Sequence, residues 1–241
     1  VSRALRHEPV QYLVGEAWFY GAPFTVDPRV LIPRPSSATI IDSVAVWAKA
    51  RPTDSPLRIA DLCTGSGCLA ITLARRFPRA TVIATDISPD ALDVARSNAE
   101  RHSVADRIDF RLGDLLTPLA GESESSFDAI VSNPPYIPDH EWDAVAPNVK
   151  DHEPETALRG GPDGLRFVKP LIESAPALLA PGGGAGGGGG GGGGGLLAIE
   201  IAACTADACL EIARARPMLS ETTILPDSDG LPRVLTALRR A

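Results

Sequence analysis

The sequence predicts an α/β fold: a doubly wound, mostly parallel seven-stranded sheet with an antiparallel last strand, preceded by a small β-hairpin segment. Three observations carry this. From residue 57 onward, short apolar runs alternate with helical stretches, the pattern of strand–crossover–strand units with helices on both sheet faces. The first run ends in a glycine turn, Asp61-Leu-Cys-Thr-Gly65-Ser-Gly67-Cys68, that leads straight into a helical stretch. The last two runs are joined only by Asp227-Ser-Asp-Gly-Leu-Pro232, too short for a helical crossover, so they pair antiparallel.

The elements follow in order. Residues 1–35 read as an N-terminal segment, with the end of a helix at 1–7 and then a stretch rich in Pro, Gly and aromatics. Within it, 18–20 and 24–26 form a hairpin around Gly21-Ala-Pro23. Residues 36–241 read as the main domain. A helix over 40–50 has Ile41, Val44 and Ala48 on one face and is closed by Pro52 and Pro56. A strand at 57–62, a helix at 68–77 stopped by Pro78, and a strand at 80–85 come next. Ser88 is a good N-cap and Pro89 a good first helical residue, so 90–102 is a helix. Strands at 107–112 and 127–131 precede a helical stretch over 165–179 that Pro170 and Pro176 must kink or split. A strand at 196–201, a helix at 206–215 and strands at 219–225 and 233–238 complete the chain. Residues 182–195, glycine throughout except Ala185, have no side chains to bury and read as a flexible loop.

Composition narrows the function. With 241 residues, 44% apolar and 22% charged, the chain is an ordinary globular domain. No run of eighteen apolar residues and no signal-peptide core occur, so neither membrane nor export is expected, and the cytoplasm is the expected compartment. A net charge of −7 argues against a large phosphate-binding surface and hence against direct nucleic acid binding. Cys63, Cys68, Cys204 and Cys209 are spaced C-x4-C in both pairs, unlike the C-x2-C usual for zinc, so they read as reduced thiols with no metal site.

The glycine turn suits a nucleotide-like cofactor. Gly65 and Gly67 let backbone approach a ligand at the carboxyl end of the first strand, where open α/β sheets bind ligands. Asp86 ends the second strand, where a carboxylate can accept both hydroxyls of a ribose. Asp114, in Gly113-Asp-Leu115 after the third strand, could contact an adenine amino group. Residues 65–70 also fit G-x-G-x-x-A, so a dinucleotide dehydrogenase is an alternative. Three acidic strand ends suit S-adenosylmethionine better than a dinucleotide, because its sulfonium is cationic and it has no pyrophosphate to repel.

Asn133-Pro134-Pro135-Tyr136, at the end of the fourth strand, suits a different problem. An amide nitrogen is a poor nucleophile, and orientation can help where strong base chemistry cannot. The Asn133 side-chain oxygen and the Pro134 carbonyl can both accept from one NH2 group and fix its plane. The two prolines stiffen the acceptors, and Tyr136 can pack against the planar group. A strand terminated by Pro-Pro without chemistry is the bland alternative. The same motif chemistry serves DNA adenine-N6 methylation. However, residues 139–155 carry Asp139, Glu141, Asp143, Asp151, Glu153 and Glu155 against a single Lys150, the wrong charge for phosphate.

These residues resemble a known family. Pro9-Val-Gln-Tyr-Leu-x-Gly15-Glu, Leu31-Ile-Pro-Arg-Pro35, Asp61-x-x-Thr-Gly-Ser-Gly67, Asp86-Ile-Ser-Pro-Asp-Ala-Leu92, Ser132-Asn-Pro-Pro-Tyr-Ile137, His152-Glu-Pro-x-x-Ala-Leu158 and Gly160-Gly-Pro-Asp-Gly164 together resemble the protein-glutamine N5-methyltransferases, Rossmann-like class I S-adenosylmethionine-dependent enzymes. The resemblance implies methyl transfer from S-adenosylmethionine, leaving S-adenosylhomocysteine, to a glutamine in the Gly-Gly-Gln motif of a peptide chain release factor. A sister group acting on a large-subunit ribosomal protein is the alternative, which Trp18-Phe19, the Cys63–Cys68 turn and Ser36-Ser37 also resemble. It implies Asn133, Pro134 and Tyr136 as catalytic, with Pro135 joining them in binding substrate. Asp61, Thr64, Gly65, Gly67, Asp86, Ile87, Asp114, Leu115 and Asn133 would line the cofactor site of a monomer. The chain departs from the family at Ser36-Ser-Ala-Thr39, where a Glu-Thr-Glu-like stretch is usual, and in the polyglycine link.

Overall fold

The structure, a computed structural model, describes residues 4–52, 55–182 and 193–241. The predicted flexible glycine loop falls on residues 182–195, and its 183–192 lie outside the described residues.

The chain enters through a short helix, α1 (Val10–Val14), and a hairpin of β1 (Glu16–Phe19) and β2 (Ala22–Thr25). The hairpin turns at Tyr20-Gly21 rather than across Gly21-Ala-Pro23. Both turn residues have positive φ, 49° and 75°, the geometry whose twist matches the flanking strands. A 3₁₀ turn (Pro35–Ser37) leads into α2 (Ala38–Ala48).

The main sheet then builds from β3 (Arg58–Leu62), α3 (Cys68–Arg76), β4 (Thr81–Asp86), α4 (Pro89–Arg101), β5 (Ile108–Leu112) and β6 (Ala129–Ser132). Ser88 caps α4, its Oγ accepting from the Ala91 N–H at 3.2 Å. After β6 comes a region without sequence periodicity, where β7 (Ile137–Pro138), α5 (Pro147–Lys150) and β8 (Arg159–Gly161) are too short to leave a pattern. The stretch around Pro170 and Pro176 divides as its prolines require. Pro170 sits in the first turn of α6 (Val168–Ser174), where its missing N–H costs nothing, and Pro176 falls in a 3₁₀ turn (Ala175–Leu178). Finally come β9 (Leu196–Glu200), α7 (Ala206–Arg214), β10 (Leu219–Pro226) and β11 (Pro232–Arg239).

The seven strands lie in the order β10-β11-β9-β6-β3-β4-β5. β3 pairs in parallel with β4 and β6, β5 with β4, and β9 with β6, while β11 runs antiparallel to both β9 and β10. Strand residues alternate between two cores. Ile59, Val82, Ala84, Ala129, Val131 and Ala198 face one, with Ile40, Ile41 and Val44 of α2 and Leu69 and Leu73 of α3. Ala60, Leu62, Ile83, Ile130 and Leu197 face the other, with Leu171 and Ile172 of α6 and Cys209 of α7. Both faces are covered, so the strands are near-continuously apolar, as a buried parallel sheet demands. Among the described residues no helix is long and apolar enough to cross a membrane.

Candidate active site

Strand order reverses at β3, with β4 and β5 on one side and β6 on the other. The crevice outside the carboxyl ends of strands at such a point is where open α/β sheets bind ligands. Here it is a cleft of about 880 Å³, walled on one side by Cys63, Thr64, Gly65, Asp86, Ile87, Asp114 and Leu115 and on the other by Asn133 and Pro135. The topology thus brings the two halves read separately from the sequence into one cavity, of a size that holds a nucleoside together with a second ligand.

In the first half, Asp86 is the central polar group. Its Oδ2 accepts from the Gly65 N–H and its Oδ1 from the Ser88 N–H, each at 2.9 Å. Burial raises its pKa, against the backbone N–H groups of Ser88, Gly65 and Ile87, which lower it. Each carboxylate oxygen carries about two lone pairs, so both keep capacity for a further donor from the cleft. Ile87, 61% exposed, adds an apolar surface beside it. Cys63 and Leu115 line the cleft with φ of 60° and 45°, a left-handed backbone that side chains other than glycine rarely adopt and that concentrates at binding sites.

Asp61 and Gly67 sit beneath this surface. Asp61 is fully buried. Its Oδ2 accepts from the Thr64 hydroxyl at 2.6 Å and from the Ala70 N–H at 3.0 Å, holding the glycine turn to α3. Burial pushes its carboxyl pKa up to about 7, the Thr64 and Ala70 hydrogen bonds opposing. Gly67 has a φ of 80°, and a Cβ there would meet the Ala95 Cβ at 3.1 Å, so the turn packs against α4 only because no side chain intervenes. Asn98 of α4 braces the other flank, accepting from Thr25 N–H and donating to the Thr25 and Ser66 carbonyls.

In the second half, β6 ends at Ser132, whose hydroxyl donates to the Leu62 carbonyl at 2.7 Å and ties β6 to β3. Asn133 follows, half-buried, its Nδ2 donating to the Ser37 Oγ at 3.0 Å. Pro134 and Pro135 are buried. Tyr136 packs behind the cleft with its hydroxyl donating to the Glu200 Oε1 at 2.9 Å, and burial and the nearby carboxylate raise its pKa. Ser37 in turn donates to the Glu200 Oε2 at 2.6 Å. Glu200 is itself fully buried, and burial raises its pKa.

The loop carrying Asn133 is held by two further motifs. Ile137 N–H donates to the Leu158 carbonyl at 2.9 Å, and β7 pairs with β8. Gly164, at φ 78°, lies so close that a Cβ would sit 2.6 Å from the Tyr136 carbonyl oxygen. Arg34 lines the cleft and forms an ion pair with the buried Glu153, which also accepts from the Ile32 N–H. In the sequence Arg34 stood out only as part of Leu31-Ile-Pro-Arg-Pro35, Glu153 only within an acidic stretch and the motif that begins at His152, Ser37 only within a departure from the family pattern, and Glu200 and Asn98 not at all. Glu200 carried a signal, a lone carboxylate inside the otherwise apolar run Leu196–Ile201; Glu153, Ser37 and Asn98 are ordinary polar residues whose partners are 32 to 163 positions away.

An S-adenosylmethionine-like group fits the first half: a carboxylate with spare acceptor capacity, a turn without a Cβ at Gly65, an exposed apolar Ile87 and acidic surroundings for a cation. Among the described residues no cluster of three or more potential metal ligands occurs.

A methyltransferase-domain family model matches residues 59–152. The chain is 40% identical over 235 residues to the release factor glutamine methyltransferase of Koribacter versatilis, covering 98% of this chain and 76% of that protein. It is 40% identical over 240 residues to the protein of the same name from Moorella thermoacetica, covering all of this chain and 78% of that one. The crystal structure of the N-terminal domain of human METTL16 in complex with SAH superposes with a TM-score of 0.59 at 18% identity, over 98% of this chain and 80% of that one, a likeness of fold.

Proposed function

The chain belongs to the release factor glutamine methyltransferases and is a methyl-transferring enzyme, and from that premise we propose how it acts: it methylates the side-chain amide nitrogen (N5) of a release factor glutamine, with S-adenosylmethionine as donor. The observation that carries this reading is Asn133 at the cleft wall, its NH2 end committed to Ser37 while, among the described residues, its Oδ1 takes no hydrogen bond. A free amide oxygen beside a nucleoside-sized cleft is an acceptor waiting for a donor.

S-adenosylmethionine, when bound, supplies the electrophilic methyl group. Asp86 holds its ribose, Gly65 lets it approach the backbone, and Thr64, Ile87, Asp114 and Leu115 complete the surface around it. Asp61 and Gly67 hold the turn from below. Asn133 Oδ1 and the Pro134 carbonyl accept the two N–H groups of the substrate glutamine, so the nitrogen lone pair lies off that plane, toward the cofactor. Pro134 and Pro135 keep these acceptors from drifting, and Tyr136, held to Glu200 behind the cleft rather than lining it, anchors the end of the loop. Holding reacting atoms in line is worth a large share of a barrier of this kind, and about 1 Å of misplacement can cost on the order of a hundredfold in rate.

The test is turnover with labelled S-adenosylmethionine and a peptide chain release factor, the product mapped by mass spectrometry. One methyl group should appear on the glutamine of the Gly-Gly-Gln motif. Asn133→Ala should lose methyl transfer by about a hundredfold while cofactor affinity stays within a few-fold. A methyl group found only on a large-subunit ribosomal protein would overturn the substrate. Full activity in Asn133→Ala would overturn the role of the motif.

A further inference from the structure

We propose that Ser37 is a positioning residue for methyl transfer: with Glu200 it selects which end of the Asn133 carboxamide faces the substrate. This rests on Asn133 being the acceptor of the substrate amide.

The geometry works by hydrogen-bond polarity. Glu200, at the carboxyl end of β9, is fully buried and as a carboxylate only accepts. Ser37, 1% exposed, has one proton and gives it to the Glu200 Oε2 at 2.6 Å. With that proton committed, the Ser37 oxygen has only lone pairs left for Asn133. It therefore binds the Nδ2 end, at 3.0 Å, and the Oδ1 end must turn to the cleft. An asparagine side chain has nearly the same shape in either orientation, so sterics alone cannot make this choice. A flipped Asn133 would present an NH2 group to the substrate NH2 group, donor against donor.

The same carboxylate takes the Tyr136 hydroxyl on its other oxygen, at 2.9 Å. One buried group thus orients the first and the last residue of Asn133–Tyr136. Burial raises the Glu200 pKa, while the Ser37 and Tyr136 hydroxyls and then the positive charge of Arg233 and Arg34 act against it, and each Glu200 oxygen takes one hydroxyl proton in this geometry. Ser37 lies in the Ser36-Ser-Ala-Thr39 stretch. Its place in the 3₁₀ turn ahead of α2 delivers the hydroxyl to the carboxyl end of β9 and to the loop after β6.

The experiment compares Ser37→Ala, Ser37→Thr, Glu200→Met and Asn133→Ala by steady-state kinetics on a release factor, with cofactor Kd by calorimetry and thermal unfolding as a check on folding. Ser37→Ala should lower kcat by about ten- to a hundredfold, with cofactor Kd within about threefold of wild type. Ser37→Thr keeps the hydroxyl and should recover most of kcat. Glu200→Met is of similar length and serves where Ser37→Ala folds poorly; it offers no strong acceptor to the Ser37 hydroxyl, so the Ser37 proton is free for the Asn133 oxygen, with a comparable loss of kcat. The proposal falls if Ser37→Ala or Glu200→Met keeps kcat within twofold while Asn133→Ala loses it, or if Ser37→Thr is as impaired as Ser37→Ala. Full activity in Asn133→Ala would instead bring down the reading of the Asn-Pro-Pro-Tyr motif itself.

Discussion

Asp86→Ala separates the cofactor half of the site from the substrate half. In the folded chain this carboxylate accepts from two backbone N–H groups, Gly65 and Ser88, both at 2.9 Å. In the proposed complex it also accepts both ribose hydroxyls. A hydrogen bond to a charged acceptor contributes about 1.5–3 kcal/mol, so losing two at the lower end removes about 3 kcal/mol of binding. At about 1.4 kcal/mol per decade, the Kd for S-adenosylmethionine should rise roughly a hundredfold. The free protein should also lose on the order of 2 kcal/mol, since two partly buried N–H groups are left without their acceptor. Calorimetry on wild type and variant measures the first quantity and urea unfolding without ligand the second. A cofactor analogue lacking one ribose hydroxyl closes a thermodynamic cycle. It should bind wild type about tenfold more weakly than the parent cofactor, and the variant no more weakly than the parent. A folded variant with an unchanged Kd, or an analogue penalty equal in both proteins, would show that the carboxylate is not at the ribose.

Two further outcomes follow from the same geometry. Asp61 has its carboxyl pKa pushed from 3.8 up to about 7 by burial, so the folded state holds this proton more tightly than the unfolded one; the stability it contributes is complete below about pH 4 and is lost as pH rises to about 7. Urea unfolding across that window should show a fall of up to about 4 kcal/mol in wild type that Asp61→Asn lacks, and identical pH slopes in the two proteins would refute the assignment. Gly164→Ala would drive a Cβ to 2.6 Å from the Tyr136 carbonyl oxygen at a φ of 78°, so it should destabilise by about 1–3 kcal/mol and depress turnover more than cofactor affinity. An unchanged melting temperature would argue against that contact.

The strand–helix alternation was legible because a doubly covered parallel sheet needs long apolar runs, and those runs fall where β3, β4, β6 and β9 are found. The N-cap at Ser88 and the stops at Pro78 and Pro176 were legible because they act within one or two turns of chain. Where reading and structure differ, the cause is tertiary or conformational. The hairpin turn moved to Tyr20-Gly21 because two positive φ values suit the strand twist better than a proline-bearing turn. β7 and β8 were missed because two- and three-residue strands leave no periodicity, and they exist only by pairing with each other.

The sequence by itself determined the chemistry on offer: a glycine turn beside an acidic strand end, and an amide acceptor stiffened by two prolines. These are local patterns, and their physical meaning needs no partner from elsewhere in the chain. Only the tertiary structure decided how that chemistry is aimed. Parallel pairing of β6 with β3 sets Asn133 across the cleft from Gly65 and Asp86, and the return of β9 beside β6 brings Glu200 under both Ser37 and Tyr136. The orientation of Asn133 depends on where one proton sits among three side chains 37, 133 and 200 positions along the chain, and that is settled by burial and contact between segments remote in sequence.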